Sequence, residues 1–332
     1  MELSLKEYTK QEKDKWDRFV LKESMNGTFL QTRNFLEYHG TRFKDSSLII
    51  YKGENVIVAI IPACRLEENG KKVFSSHPGS TFGGIVFGEK FYNIEHVEAV
   101  VTLFENYIRK ENYQIIQLKC TPEIFCKKRN DLINYYLYKN GYYSYEELSS
   151  YIDFDDYQDE IIKNFTARKR RDYKYSLQNS LEFRKLQINE IYIFYNILIQ
   201  NLHKFGTKPV HSLQELTEFK EKRLKDKIEF YGVFHQGEMI AGSMVFRFER
   251  KVFHTQYLAV KQDKLDFYPM NFLNENLIEE AKREKFRYFS FGISTENKGK
   301  VLNKSLAQFK EGFGTSFAVN RIYEKTIGEV VL

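Results

Sequence analysis

The chain is short of the residues that stiffen or staple a backbone. Five prolines and 18 glycines among 332 residues exclude a fibrous or low-complexity chain. Three cysteines, Cys64, Cys120 and Cys126, are too few and too odd a number for a disulfide framework. Free thiols in a reducing, cytoplasmic setting are expected. Long apolar runs are missing as well. The longest, Val56 to Cys64, is interrupted by Pro62 and falls far short of the ~20 residues that cross a bilayer. Membrane contact is expected to be peripheral at most. Residues 1–16 are rich in Lys and Glu with no apolar core, so no secretory signal is expected. Neither charge dominates: 51 basic residues against 45 acidic leave +6. That balance suits an anionic small molecule or a nucleic-acid end without requiring either.

What is abundant is apolar and aromatic surface. Hydrophobic residues make up 42% of the chain and aromatics 16%, with 29 Phe and 23 Tyr against a single Trp. This supplies two cores, and the length suits two domains of ~150 residues each. Trp16 to Leu21 and Thr28 to Tyr38 pattern as helices. Ser47 to Tyr51 and Val56 to Leu66 flank a turn at 52–55, a hairpin signal. A turn at Asn69-Gly70 leads to Val73–Ser75 and a glycine-rich loop, His77 to Gly84. Ile94 to Lys110 has helical spacing, and Tyr113 to Leu118 reads as a strand.

The second half repeats the order. Strands are expected at Phe230–His235, Met239–Phe248 and Lys251–Val260. A helix opened by Pro269 runs to Arg283, and a strand covers Phe286–Phe291. Gly53-Glu54 and Gly237-Glu238 occupy matching places in the two halves, which suggests duplication. Between the halves the sequence predicts mostly helix: Tyr157–Ser180, Glu190–Phe205 and Ser212–Lys225. The expectation is an α/β (α+β) protein of two domains, 1–152 and 153–332. Each would be a mixed sheet flanked by helices, with a cleft between the two.

The stretch Phe230 to Gly314 runs strand, Gly turn, strand with Ala241-Gly242-Ser243, strand, Pro-opened helix, strand ending Phe291-Gly292, then Phe309-Lys310-Glu311-Gly312-Phe313-Gly314. It resembles the Fem-like branch of the GNAT acyltransferase superfamily, in which two GNAT domains stand in tandem. Phe29-Leu30-Gln31-Thr32 and the Gly79 to Gly84 loop are similar to that branch's N-terminal domain. The resemblance implies acyl or aminoacyl transfer to an amine, from an acyl-CoA or an aminoacyl-tRNA. The acceptor it implies is a cell-wall precursor or a sugar for a surface polysaccharide. No tightly bound cofactor is implied; acyl-CoA would be a co-substrate. One feature departs from the superfamily. The loop before the Pro269 helix, Lys261 to Tyr268, holds no glycine where a pyrophosphate is usually cradled.

Acyl transfer to an amine needs a neutral amine, aligned reactants and a stabilised oxyanion, but no covalent nucleophile. Lys310, between Phe309 and the Gly312-Phe313-Gly314 turn, is the first candidate for oxyanion or donor-phosphate stabilisation, against the bland reading of a solvated lysine. Arg168 and Arg171, in the run Arg168-Lys169-Arg170-Arg171, share a helix face that can take a phosphate-bearing substrate or simply face solvent. His77, Gly79, Gly83 and Gly84 are candidates for an acceptor pocket, or for a tight loop. Strand alternation places His254 and Gln256 on one face and Tyr257 on the other. The backbone around Gly312 and Gly314 permits close approach of a ligand. No His, Cys or carboxylate spacing fits a metal. Asp153-Phe154-Asp155-Asp156 reads as a capping turn. The leading expectation is an acyltransferase using acyl-CoA on an amino group of a sugar or cell-envelope precursor. The alternatives are an aminoacyl-tRNA-dependent peptidoglycan cross-bridge ligase and a non-catalytic nucleic-acid-binding protein. No RRM, helix-turn-helix or zinc-finger pattern favours the last.

Overall fold

The computed structural model describes residues 2–328 apart from Phe205 and Arg250. The chain divides into two units, Met1–Glu147 with Val319–Leu332 and Leu148–Ala318.

In the first unit, β1 (Leu3–Glu7), β2 (Leu48–Lys52) and β3 (Val56–Ile61) pair antiparallel in that order. Pro62 has no N–H for a ladder, so β3 stops there. The chain continues into a second sheet as β4 (Cys64–Glu68) and β5 (Lys71–Ser76). Their hairpin turn is Asn69-Gly70, with φ of 52° and 74°, the left-handed pair a two-residue turn requires. Helix α1 (Ile94–Lys110) matches its sequence expectation at both ends; Asn93 caps it by accepting from the His96 N–H. Val97, Val100, Val101, Phe104 and Ile108 form its buried stripe. It carries the chain to β6 (Ile115–Lys119), parallel to β5, a βαβ crossover. Helix α2 (Asp131–Lys139) follows.

The Thr28–Tyr38 segment is not one helix. It breaks into short turns because Thr32 takes an extended ψ of 150° and its hydroxyl caps the next turn at Phe35 N. Gln31 is then freed to anchor the glycine-rich loop, donating to Gly83 O (3.1 Å) and to Thr121 Oγ1 (2.7 Å).

The second unit begins within β7 (Tyr143–Asp153) and adds α3 (Ala167–Ser176), β8 (Leu181–Lys185) and α4 (Ile191–His203). The expected helix end at Phe205 lies outside the described residues. An antiparallel meander follows, β9 (Ile228–His235), β10 (Glu238–Phe248) and β11 (Val252–Val260). Helix α5 (Pro269–Arg283) starts and ends where the sequence predicts and leads to β12 (Tyr288–Ile293), parallel to β11. The sheet order is β8-β9-β10-β11-β12-β7, with β7 joined through Ser149–Asp153. The helix expected over Tyr157–Ser180 starts only at Ala167, because Thr166 takes an N-cap conformation, φ −60° and ψ 156°. Helix α6 (Lys304–Glu311) and β13 (Ser316–Thr326) close the chain. Through Ile322–Thr326, β13 pairs with β6, so residues 1–152 omit one strand of the first unit's sheet. The second unit's core gathers Ile240, Val245, Phe253, Leu273, Leu277, Phe289 and Phe313 under α5.

Asp153 to Asp156 is a turn, as expected. Asp153 Oδ1 accepts from the Asp155 N–H, and Arg287 pairs with both carboxylates. The three cysteines are free thiols. Among the described residues no helix is long and apolar enough to cross a membrane, and no His, Cys, Asp and Glu cluster fits a metal ion.

Candidate active site

Helices α3 and α5 begin beside each other, and α6 ends against them. Their ends line a cleft of about 450 Å³ whose walls include Thr166, Arg168, Lys169, Tyr268, Asn271, Gln308, Phe309 and Gly312. Thr166 ties two of these ends together. Its N–H donates to Gly312 O at 2.9 Å, and its hydroxyl accepts from the Lys169 N–H at 3.5 Å. Tyr268 sits in the left-handed region (φ 54°) ahead of Pro269, and its carbonyl accepts from Asn271 and Phe272. Two helix N-termini therefore open on one cleft, an arrangement that favours anions.

Lys169 is the buried cation of this cleft. Its Nζ donates to Asn271 Oδ1 at 3.0 Å and lies 3.6 Å from the Phe309 ring centre and 4.6 Å from that of Phe313. Burial pulls its pKa down to about 8; Asp172 opposes that shift and Arg168 adds to it. Gly312 makes room for it: a Cβ there would stand 2.6 Å from Lys169 Cγ. In the sequence Lys169 is one of four consecutive cations, of which the spacing singles out Arg168 and Arg171. Of those two, only Arg168 lines the cleft. Arg171 turns to Asp172 at 3.1 Å. The shared helix face thus divides: Asp172 pairs with both arginines, and only Arg168 reaches the cleft wall. Lys261 and Lys264, on the glycine-free loop, both pair with Glu238 instead of lining the cleft.

Phe309 forms part of the cleft wall, but Lys310 beside it points the other way. It is buried, and its Nζ donates to Gly292 O (3.0 Å) and Ile293 O (2.6 Å). Burial alone lowers its pKa to about 8. Those carbonyls belong to the end of β12, where β11 and β12 have parted: the two strands pair only over Val252–His254 and Tyr288–Ser290. His254 bonds Ser290 Oγ through Nδ1 at 3.0 Å. Burial, with Lys310 second, pushes it down to about 4, so it is neutral near pH 7. The structure therefore brings Lys310 and His254 together at this strand end.

The expected alternation fails at Gln256. Thr255 faces Val245 and Tyr257 faces Met244, so Gln256 is the extra residue of a β-bulge. Tyr257 meets His211 Nδ1 through its hydroxyl at 2.9 Å. Burial pushes the phenol up to about 12. Gly314 follows Phe313 with φ 75°, against Asn164.

The loop candidates lie in the first unit, and most of their polar groups are spent internally. His77 Nε2 meets Cys64 Sγ at 2.9 Å, and its ring stacks on His39 at 5.1 Å. Burial pushes His77 down to about 4. A Cβ on Gly79 would enter the His39 ring. The Gly83 N–H donates to Lys119 O and the Gly84 N–H to Ser76 Oγ. The signal for these glycines was packing as much as ligand access.

Residues 209–310 match the model of the acetyltransferase (GNAT) domain. FemX shares the fold over 98% of this chain and 97% of its own, with a TM-score of 0.70 and 12% identity. L-PGS from Bacillus licheniformis matches over 85% of this chain and 84% of its own, with a TM-score of 0.54 and 14% identity. A tandem GNAT protein from the clavulanic acid biosynthesis pathway matches over 99% and 100%, with a TM-score of 0.57 and 8% identity. No curated protein is significantly similar in sequence. Residues 209–310 thus match a GNAT acetyltransferase domain, and the chain as a whole shares the fold of FemX and of the tandem GNAT protein.

Proposed function

We propose that this protein transfers an acyl group from acyl-CoA to a primary amine of a sugar or cell-envelope precursor, with a phosphate-bearing substrate seated in the cleft at the start of α3 and α5. The supporting observation is the cleft's charge: Lys169 and Arg168 with two helix N-termini, against the single acid Asp172. In the reaction the amine lone pair attacks the acyl carbon. A C–N bond forms and the thioester C–S bond breaks. The leaving thiolate takes a proton, and the amine nitrogen loses one. The cleft residues hold the donor; Lys310 acts as a positioning residue, fixing the Gly292 and Ile293 carbonyls where β11 and β12 part. His77, Gly79, Gly83 and Gly84 are the acceptor candidates of the first unit in this reading.

An aminoacyl-tRNA donor is the second reading. It is favoured by the glycine-free Lys261–Tyr268 segment, whose side chains keep a pyrophosphate from the close backbone approach a glycine allows. In that case the bond broken is the ester C–O of the aminoacyl group. Thermal shift of the full chain with acetyl-CoA, CoA, a UDP-sugar and a tRNA separates the two. Stabilisation by acetyl-CoA supports the first reading, since a ligand of the folded state raises Tm by mass action. A shift with tRNA alone selects the second. No shift with any of the four removes the cleft from the reaction.

A further inference from the structure

Lys169 stands where a lysine is least comfortable. Thr166 caps α3, so Lys169 lies in the first helical turn, which carries no acid. A cation there opposes the helix dipole. It is 9% exposed, and among the described residues no carboxylate pairs with its ammonium. Asp172, the nearest acid of its own helix, is taken by Arg171 at 3.1 Å and faces Arg168 at 3.9 Å. What surrounds the ammonium supports a positive charge without cancelling it: one amide oxygen from Asn271 and the faces of Phe309 and Phe313. An ammonium has three N–H donors, and Asn271 takes one. Two donors are left without an oxygen acceptor, and Lys169 lines the cleft.

The neighbouring candidates differ. Arg168 leaves 84% of its side chain in solvent, where screening weakens any ion pair. Lys310 spends its ammonium on two backbone carbonyls and does not line the cleft. The motif itself is shaped around Lys169. Phe309 and Phe313 supply the two rings, and Gly312 supplies the missing Cβ; the three atoms nearest that Cβ position all belong to the Lys169 stem.

We infer that Lys169 is the specificity-determining cation of this cleft, and that it receives the anionic phosphate group of the substrate. The Phe309–Gly314 motif serves to hold it. This rests on the reading that the cleft takes a phosphate-bearing substrate. Such an ammonium burdens the free protein and is compensated when an anion arrives, which sets two expectations of opposite sign. Lys169→Met weakens binding but does not lower Tm. Gly312→Ala, at a helical φ of −57° that alanine adopts freely, acts only by displacing the Lys169 stem.

The test is titration calorimetry of the full chain with UDP, CoA, inorganic pyrophosphate and a deacylated tRNA. Lys169→Met should weaken the binding probe by about 10- to 100-fold, the range of a charge-assisted hydrogen bond. Gly312→Ala should weaken it in the same direction. In a Lys169→Ala background, adding Gly312→Ala should change affinity less than twofold, because the two positions act as one. Wild-type affinity in Lys169→Met overturns the inference and leaves the cleft reading intact. So does a Gly312→Ala loss that persists undiminished in the Lys169→Ala background. A wild-type chain that binds none of the four probes overturns both.

Discussion

Two buried lysines separate when their surroundings are compared. Lys310 is satisfied by backbone carbonyls, whereas Lys169 is held between an amide and two rings beside open space. In the sequence, Lys310 is conspicuous because the motif encloses it, and Lys169 is one of four consecutive cations. Periodicity shows a charged helix face; it does not show that one lysine of the run is covered by a glycine turn arriving much later in the chain. The charged groups facing Lys169 are Asp172 and Arg168 of its own helix; α5 presents Asn271, α6 presents Phe309 and the turn after α6 presents Phe313. An anion binds the ammonium form, and the free protein loses that form as pH rises through about 8. Between pH 7.5 and 8.5 UDP carries a nearly constant charge, its phosphates being ionised and its uracil N3–H still protonated. Wild-type affinity for UDP should therefore fall from pH 7.5 to 8.5, and Lys169→Met should give a flat profile. Parallel profiles for the two proteins would assign the pH dependence elsewhere.

Elements with a strong local signal were legible to within a residue or two. The Asn69-Gly70 and Gln236-Gly237 turns, helix α1 and the Pro-opened α5 fall where the sequence puts them. Elements whose ends are decided by side chains elsewhere were not. Asn164 bonds Gln158 O and Ile161 O and holds a separate 3-10 turn, Ile161–Asn164, ahead of α3, which no propensity within Tyr157–Ser180 announces. Helices α3 and α5 then meet in two successive contacts one turn apart, Lys169 with Asn271 and Tyr173 with Glu275. Burial pushes the Glu275 carboxyl up to about 7, against the opposing bond from Tyr173. A raised carboxyl contributes stability below its unfolded value of 4.5, and that stability is lost as pH rises through about 7. Glu275→Gln keeps the shape without the charge. It should leave Tm unchanged at pH 4 and raise it at pH 8, by on the order of 1–3 kcal/mol in unfolding free energy. Equal Tm for both proteins at pH 8 would mean that Glu275 is solvated.

At the scale of the whole chain, the repeated order of elements is physical. Each unit contains a strand, a crossover helix and a parallel strand: β5-α1-β6 and β11-α5-β12. The sequence shows that repetition, because hydrophobic spacing and turns are local. It does not show that β13 pairs with β6, since pairing partners far apart in sequence leave no local mark. Each unit also buries an imidazole that burial pushes from 6.5 down to about 4, His77 in the first and His254 in the second. A depressed group contributes stability above its unfolded pKa and loses it as pH falls through the folded one. Both imidazoles therefore destabilise the fold between pH 6.5 and 4, each by about 3 kcal/mol at most. Glu275 works the other way over the same window, gaining a proton early in the folded state. His96 shifts in the same direction as the two rings and Glu123 in the same direction as Glu275, so the two deeply depressed imidazoles set a net loss on acidification. The denaturant midpoint should fall from pH 6.5 to 4.5, and the fall should steepen in Glu275→Gln, where that opposing group is gone. Asn in place of both His77 and His254 should lower the midpoint at neutral pH, because it loses packing, but flatten its slope with pH. A wild-type midpoint that stays level over this range, or a double variant with the wild-type slope, would show that the two rings accept protons without cost to the fold.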